Sequence, residues 1–244
     1  MFKTVRDSLL SVVYPQECRI CRNSVEKFPD GCACGDCWEK VRVLGRGETT
    51  CTKCGAYLAE SGRSIVAECR QCVDHAYDKA VAAGVYEHAL VAVTVNLKIK
   101  PYLPERCKNI LIEAVKRLDV SDDTLVIPVP LSEKRLLERG HNQAETIARN
   151  LVSRTGMSIL TDVLSRKIHT PMHRVAMDDK ARQLTVNKAF EVIDNTRLLN
   201  AHVLLVDDVF TSGATVSGCA KVLKKNGASR VDVFTLARAV FRIE

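Results

Sequence analysis

The sequence predicts an α/β domain with a largely parallel sheet, preceded by a small cysteine-rich module. Three observations predict it. After residue 75, apolar runs alternate with amphipathic stretches, the pattern of strands alternating with helices. The run Val203, Leu204, Leu205, Val206 is apolar at every position, as a strand buried on both faces requires. Nine of the eleven cysteines fall between Cys18 and Cys72. The chain of 244 residues, 46% of them hydrophobic, suffices for one good-sized domain and a small one. The change in composition sets the division at 1–75 and 76–244.

Residues 1–14 carry an apolar face of Phe2, Val5, Leu9, Val12 and Val13, interrupted by Lys3, Arg6 and Asp7. This reads as a short amphipathic helix docked on the body, too short to cross a bilayer. No secretory leader is read there, so a cytoplasmic protein is expected. Past the cysteines, 79–86 reads as a strand and 88–97 and 104–118 as helices, the second opening on Pro104. Residues 124–129 form a short apolar strand closed by Pro128 and Pro130, and 131–154 reads as one helix with Ala144, Ile147, Ala148 and Leu151 on one face. The stretch 160–200 is mixed and basic, with Phe190 and Val192 indicating a strand. A strand at 203–206, a helix at 213–225 stopped by Gly227, and a strand at 231–236 complete the reading.

Four Cys-x-x-Cys pairs are present: Cys18/Cys21, Cys34/Cys37, Cys51/Cys54 and Cys69/Cys72. Two thiolates at this spacing reach one ion from a tight knuckle, and two knuckles complete a tetrahedral S₄ site. Local pairing gives two structural zinc sites, the first four cysteines holding one Zn²⁺ and the last four the other. Iron–sulfur ligation is the alternative metal reading, because four thiolates do not select the metal. A thioredoxin-type redox pair lacks the βαβ context it needs, and disulfides do not suit a cytosolic chain. Cys32 is an extra thiol that can replace Cys34 as ligand; Cys107 and Cys219 lie inside predicted helices as small hydrophobes. Arg19, Arg22, Lys40, Arg42, Arg46 and Lys53 give the module a positive surface.

A second constellation follows the strand at 203–206. Asp207 and Asp208 come next, then Thr211, Ser212, Gly213, Ala214 and Thr215, then a helix. A parallel strand delivers its carboxylates to the C-terminal sheet edge, where ligands bind in open α/β sheets. Small hydroxylated residues let backbone N–H groups close round a phosphate, and the following helix adds its positive end. Carboxylates beside such a loop suit sugar hydroxyls or a hydrated Mg²⁺ rather than bare phosphate. The chain has no P-loop NTPase motif and no dinucleotide-type glycine pattern after a strand.

The segment 203–215 resembles the 5-phosphoribosyl-1-diphosphate (PRPP) signature of type I phosphoribosyltransferases, with Phe210 where a smaller aliphatic is usual. Pro128, Pro130 and Leu131, followed by Arg139, Gly140, His141, Asn142 and Gln143, resemble the ComF family, where Phe is usual in place of His141. That family joins an N-terminal double zinc ribbon to a type I phosphoribosyltransferase fold. The resemblance implies that Asp207 and Asp208 contact the ribose hydroxyls and, indirectly, Mg²⁺. It implies that Thr211 to Thr215 cradle the 5-phosphate and that the turn with Lys134 and Arg135 sits near the pyrophosphate, with Val209 and Arg139 also among the PRPP-binding residues. Arg182 matches a basic position in a mobile loop, although Thr185 replaces an expected Asn.

Two functions follow from the resemblance. One is a role in natural transformation, with PRPP/Mg²⁺ and single-stranded DNA as ligands and DNA-uptake or recombination proteins as partners. The other is an active phosphoribosyltransferase of nucleotide or base metabolism, with Asp207, Asp208 and Arg182 as its catalytic residues. The formal charge of +7 suits anionic partners, although solvated helix faces account for such charge equally well. Basic clusters at Lys134/Arg135/Arg139, Arg166/Lys167/Arg174 and Lys224/Lys225/Arg230 are candidates for backbone phosphates; Trp38, Tyr57, Tyr86 and Tyr102 are the candidates for base stacking.

Overall fold

The computed structural model describes residues 15–44, 50–58, 68–167 and 189–240. The expected helix at 1–14, Arg46, Arg174, Arg182 and most of the basic loop lie outside them. No described helix is long and apolar enough to cross a membrane.

A 3₁₀ turn at Phe28–Asp30 and a short helix α1 (Gly35–Glu39) belong to the cysteine-rich part. There follow β1 (Lys79–Val85), α2 (His88–Leu97), α3 (Glu105–Val115), β2 (Leu125–Pro128), α4 (Glu133–Arg139), α5 (Gln143–Thr155), β3 (Ser158–Ile159), β4 (Leu164–Arg166) and β5 (Phe190–Val192). The chain then forms β6 (His202–Phe210), α6 (Ala214–Lys225) and β7 (Arg230–Arg238). Five strands make one sheet in the order β1-β7-β6-β2-β3, every pairing parallel, while β4 and β5 form a separate antiparallel pair. The fold class is α/β as the sequence predicts: a parallel sheet with flanking helices and a small cysteine-rich module.

The pleat of β6 divides the core. Leu204 and Val206 pack with Leu90, Leu111, Ile147 and Leu151 from α2, α3 and α5 on one face. Val203 and Leu205 pack with Val216, Cys219 and Leu223 of α6 on the other. All four strand residues are fully buried, which is why no polar alternation marks this strand in the sequence. The two cysteine clusters separate in the same way. Cys18, Cys34 and Cys37 join the α2/α3/α5 side, whereas Cys51, Cys54 and Cys72 join the α6 side. Cys107 and Cys219 are fully buried, as expected of small apolar side chains.

Three elements differ from expectation. The single helix expected at 131–154 is two, because Gly140 takes a left-handed conformation (φ 72°) that ends α4. Asn142 then opens α5, its side chain accepting a hydrogen bond from the Ala144 N–H at 3.0 Å. The strand expected at 203–206 runs to Phe210, carrying both aspartates within it. Pro104, placed inside the start of a helix by sequence, caps α3 from outside it.

Candidate functional site

All eight expected cysteine ligands gather into two groups of four, with the sulfurs of each group within 4.8 Å of one another. In the first, Cys18–Cys37 and Cys21–Cys37 are 3.7 Å apart and Cys21–Cys34 3.5 Å. In the second, Cys51–Cys72, Cys54–Cys69 and Cys69–Cys72 are each 3.5 Å apart. A Zn–S bond of about 2.3 Å in a tetrahedron gives sulfur–sulfur edges of about 3.8 Å. These sulfurs thus enclose a single ion, are far too distant for disulfides, and leave no room for a polynuclear iron–sulfur cluster. Cys34 is in the first group and Cys32 is not.

In each cluster the surroundings favour one thiolate, while burial pushes the Cys34, Cys37, Cys54 and Cys72 thiols up. Burial raises the Cys51 thiol, but backbone hydrogen bonds from Cys54, Cys69 and Lys53 outweigh it and bring it down to about 7. At Cys18 burial is likewise overcome by the backbone N–H groups of Cys21, Cys34 and Ile20, down to about 6. Zinc held here would supply folding energy, with no open position for chemistry.

The second site is a cleft of about 340 Å³ at the C-terminal edge of the sheet. Asp207, Asp208, Val209, Thr211 and Thr215 line it from β6 and its loop, and Arg135 and Arg139 from α4. Lys134 is exposed and outside the lining; Ser212, Gly213 and Ala214 form the loop behind it. Asp207 Oδ1 accepts from the Asp208 N–H at 2.9 Å, and Asp208 Oδ1 from the Val209 N–H at 2.8 Å, so both carboxylates are held against the backbone. Desolvation, followed by the adjacent Asp208 charge, holds the Asp207 carboxyl well above the usual carboxylate range; Arg166 opposes this. Gly213 adopts φ 79° and opens α6; the Ala214 N–H reaches Ser212 Oγ at 3.4 Å, and the N–H groups of Thr215 and Val216 follow in the first turn, where helices take anions.

The cleft has a second wall that sequence reasoning did not assign. Tyr86 follows β1, Lys98 follows α2 and Arg166 ends β4, and all three line the cleft. Arg166 was legible only as a member of a basic cluster; its guanidinium lies 5.3 Å from the Phe190 ring, in the register partner across the hairpin. Asn142 has a structural role, capping α5 while donating to the Val129 carbonyl at 3.0 Å and so holding the turn after β2. His141 sits between two carbonyls, Arg139 at 2.9 Å and Leu97 at 2.6 Å, joining this turn to the end of α2.

Other expected nucleic-acid contacts are already engaged. Trp38 is buried and its indole N–H donates to the Asp30 carbonyl at 2.9 Å, which removes it as a stacking platform. Arg42 pairs with Glu87, Lys167 with Glu191, Lys224 with Asp78, and Arg230 with Asp119 and Asp232. Tyr102 keeps an exposed ring, 43% accessible.

Residues 9–73 match the double zinc ribbon domain family. The chain is 26% identical over 231 residues to competence protein F of Haemophilus influenzae, covering 91% of this chain and 96% of that protein. It is 31% identical over 120 residues to competence protein ComFC of Bacillus subtilis and 28% over 115 residues to the DNA utilization protein YhgH of Escherichia coli, spanning 45% and 49% of those proteins. Among solved structures, a Staphylococcus aureus hypoxanthine phosphoribosyltransferase is 17% identical, with 57% of this chain and 68% of that one covered at a TM-score of 0.34. The chain is thus similar to a double zinc ribbon at one end and to competence protein F through nearly its whole length.

Proposed function

We propose that this protein serves DNA uptake in natural transformation, binding PRPP with Mg²⁺ in the sheet-edge cleft and single-stranded DNA through its basic surface. The observation that carries the ligand is the run from β6 into α6. Two half-buried carboxylates stand beside a hydroxylated loop and a helix N-terminus, with Arg135, Arg139 and Arg166 in the same cleft. Carboxylates suit ribose hydroxyls and a hydrated cation, the loop suits a phosphate monoester, and three guanidiniums suit a diphosphate. Lys134 and the loop carrying Arg182 complete the reading as groups that approach the diphosphate from outside. The names of the relatives, competence proteins and a DNA utilization protein, support the role in DNA uptake.

The division at 1–75 and 76–244 belongs to the same reading. It is supported by the ribbon match ending at residue 73 and by a parallel sheet that starts at Lys79.

Calorimetric titration of the zinc-loaded protein with PRPP/Mg²⁺ and with a single-stranded oligonucleotide, separately and together, tests both ligands. PRPP binding lost in Asp208→Asn, with salt-sensitive oligonucleotide binding kept, is the expected result. Absence of PRPP binding would end the cleft reading. Pyrophosphate release on adding a base, abolished by Asp208→Asn, would establish the alternative, an active phosphoribosyltransferase.

A further inference from the structure

The geometry points to the second zinc knuckle as the support of the phosphate loop, through Arg238, Phe210, His75 and Ser217. Metal at the Cys51/Cys54/Cys69/Cys72 cluster and a phosphorylated ligand at residues 211–215 should therefore bind cooperatively. This rests on the reading of that loop as a phosphate site.

Phe210 ends β6 and Arg238 ends β7, and the two are register partners on neighbouring parallel strands. Arg238 is 5% exposed, so its charge needs partners inside the protein. Its guanidinium carbon lies 4.3 Å from the Phe210 ring centre, one amino group donates to the Cys54 carbonyl at 2.6 Å, and another reaches the Cys54 sulfur at 3.6 Å. Hydrogen bonds to a metal-bound thiolate orient it and moderate its charge. A single side chain thus touches both the cluster and the residue preceding the loop.

A second path runs through the residues after Cys72. The His75 N–H donates to the Cys72 carbonyl at 3.1 Å, and His75 Nδ1 is 2.8 Å from the Tyr77 hydroxyl. Tyr77 packs edge-on to Phe210, ring centres 6.1 Å apart. Gly213 is enclosed by these groups: a Cβ there would lie 2.6 Å from Phe210 Cζ and 2.9 Å from His75 Cε1. One residue on, the Ala76 N–H donates to Ser217 Oγ at 3.1 Å, and the Ser217 N–H to the Gly213 carbonyl at 2.9 Å. The rear wall of the loop is therefore the segment that leaves Cys72, His75 to Tyr77, together with Phe210 at the end of β6.

Phe210 stands where a smaller aliphatic is usual in the signature it resembles, and this contact gives the reason. A smaller side chain would leave Arg238 without its ring and open a gap against Tyr77 and Gly213. Four thiols brought within 4.8 Å of one another in a small segment depend on metal to stay together. Losing the ion frees the segment through His75, and with it the wall that fixes Gly213 at φ 79°. The first cluster serves as control, since it packs on the opposite face with Val25 and Trp38. Coupling of this kind is reciprocal: whatever the metal does for the ligand, the ligand does for the metal.

The test compares zinc release to a chromogenic chelator with and without PRPP/Mg²⁺, in the wild type and in Phe210→Leu and Arg238→Met, each loaded with zinc. PRPP should slow release of one of the two zincs by about tenfold in the wild type. In both variants that protection should vanish while two zincs still bind. PRPP that binds by titration but protects neither zinc, or protects both equally, would overturn the coupling. PRPP that fails to bind would overturn the reading of the loop instead. Ligand-free hydrogen exchange of amides 211–217 then decides the anchor: it should quicken in Phe210→Leu and Cys69→Ser but not in Cys21→Ser. Unchanged exchange in Phe210→Leu, which keeps its metal, would sink the proposal even if the cysteine variants misfold.

Discussion

Arg117 donates from its guanidinium to the carbonyl of Ala82 at 2.5 Å, and to that of Leu44 as well. Ala82 lies in β1, which is an outer strand of the sheet, so its free edge is closed by a side chain from the end of α3. The Val43–Gly84 bridge and the Ala80 N–H bond to the Lys53 carbonyl close the rest. An open edge strand pairs with other chains. Arg117→Met should lower stability by roughly 1.5–3 kcal/mol, the range for a lost hydrogen bond to a charged group. A reduced urea midpoint, with light scattering that rises with protein concentration, would verify this.

The cluster geometry fixes a zinc count. The wild type should hold two zinc ions per chain, and Cys32→Ser should keep both, because Cys32 lies outside the four sulfurs of the first group. Cys34→Ser and Cys69→Ser should each retain one tightly held ion. Metal analysis after dialysis checks all four proteins. A chelator strong enough to strip both ions should also abolish cooperative unfolding of the ribbon.

Gly213→Ala meets two obstacles: a positive φ that L-residues rarely adopt, and the side chains of Phe210 and His75 within 3 Å of the new methyl. Affinity for PRPP should fall by tenfold or more, following about 1–2 kcal/mol of backbone strain. Far-UV circular dichroism should stay unchanged. Adding Phe210→Leu should relieve the Phe210 contact but neither the His75 contact nor the strain, so affinity should recover only in part.

Asp207 predicts a pH effect on the ligand-free protein. Its carboxyl is held well above the usual range by desolvation and then by Asp208, so the folded state binds a proton that the unfolded chain releases near pH 4. This contribution to stability is present below pH 4 and is lost as pH rises towards the folded value. Asp207→Asn removes the effect. The variant should gain stability over the wild type as pH rises from 5 to 8, read from urea midpoints at each pH; a constant difference would contradict the assignment.

Much of this was legible because its cause is local. Cys-x-x-Cys spacing reports a knuckle, and an unbroken apolar run reports a strand buried on both sides, so both clusters and the buried stretch 203–206 of β6 were read at the right residues. Pairing the first four and last four cysteines needed only adjacency. The choice between Cys32 and Cys34 turned on the direction in which a knuckle presents its sulfurs, which spacing does not encode. The break at Gly140 was visible as a glycine, but a continuous apolar face across 144–151 outweighed it. Tyr86, Lys98 and Arg166 share one cleft although they come from the end of β1, the end of α2 and the separate β4/β5 pair. No local pattern connects residues so far apart.

The bond from Arg238 to Cys54 spans 184 residues. During synthesis, a ribbon that emerges early waits for almost the last strand before its second knuckle acquires that donor. A chain halted before β7 would carry the knuckle without its guanidinium and β6 without a neighbour on one side. Tight metal retention by the second ribbon would thus mark a chain in which β7 has already joined the sheet.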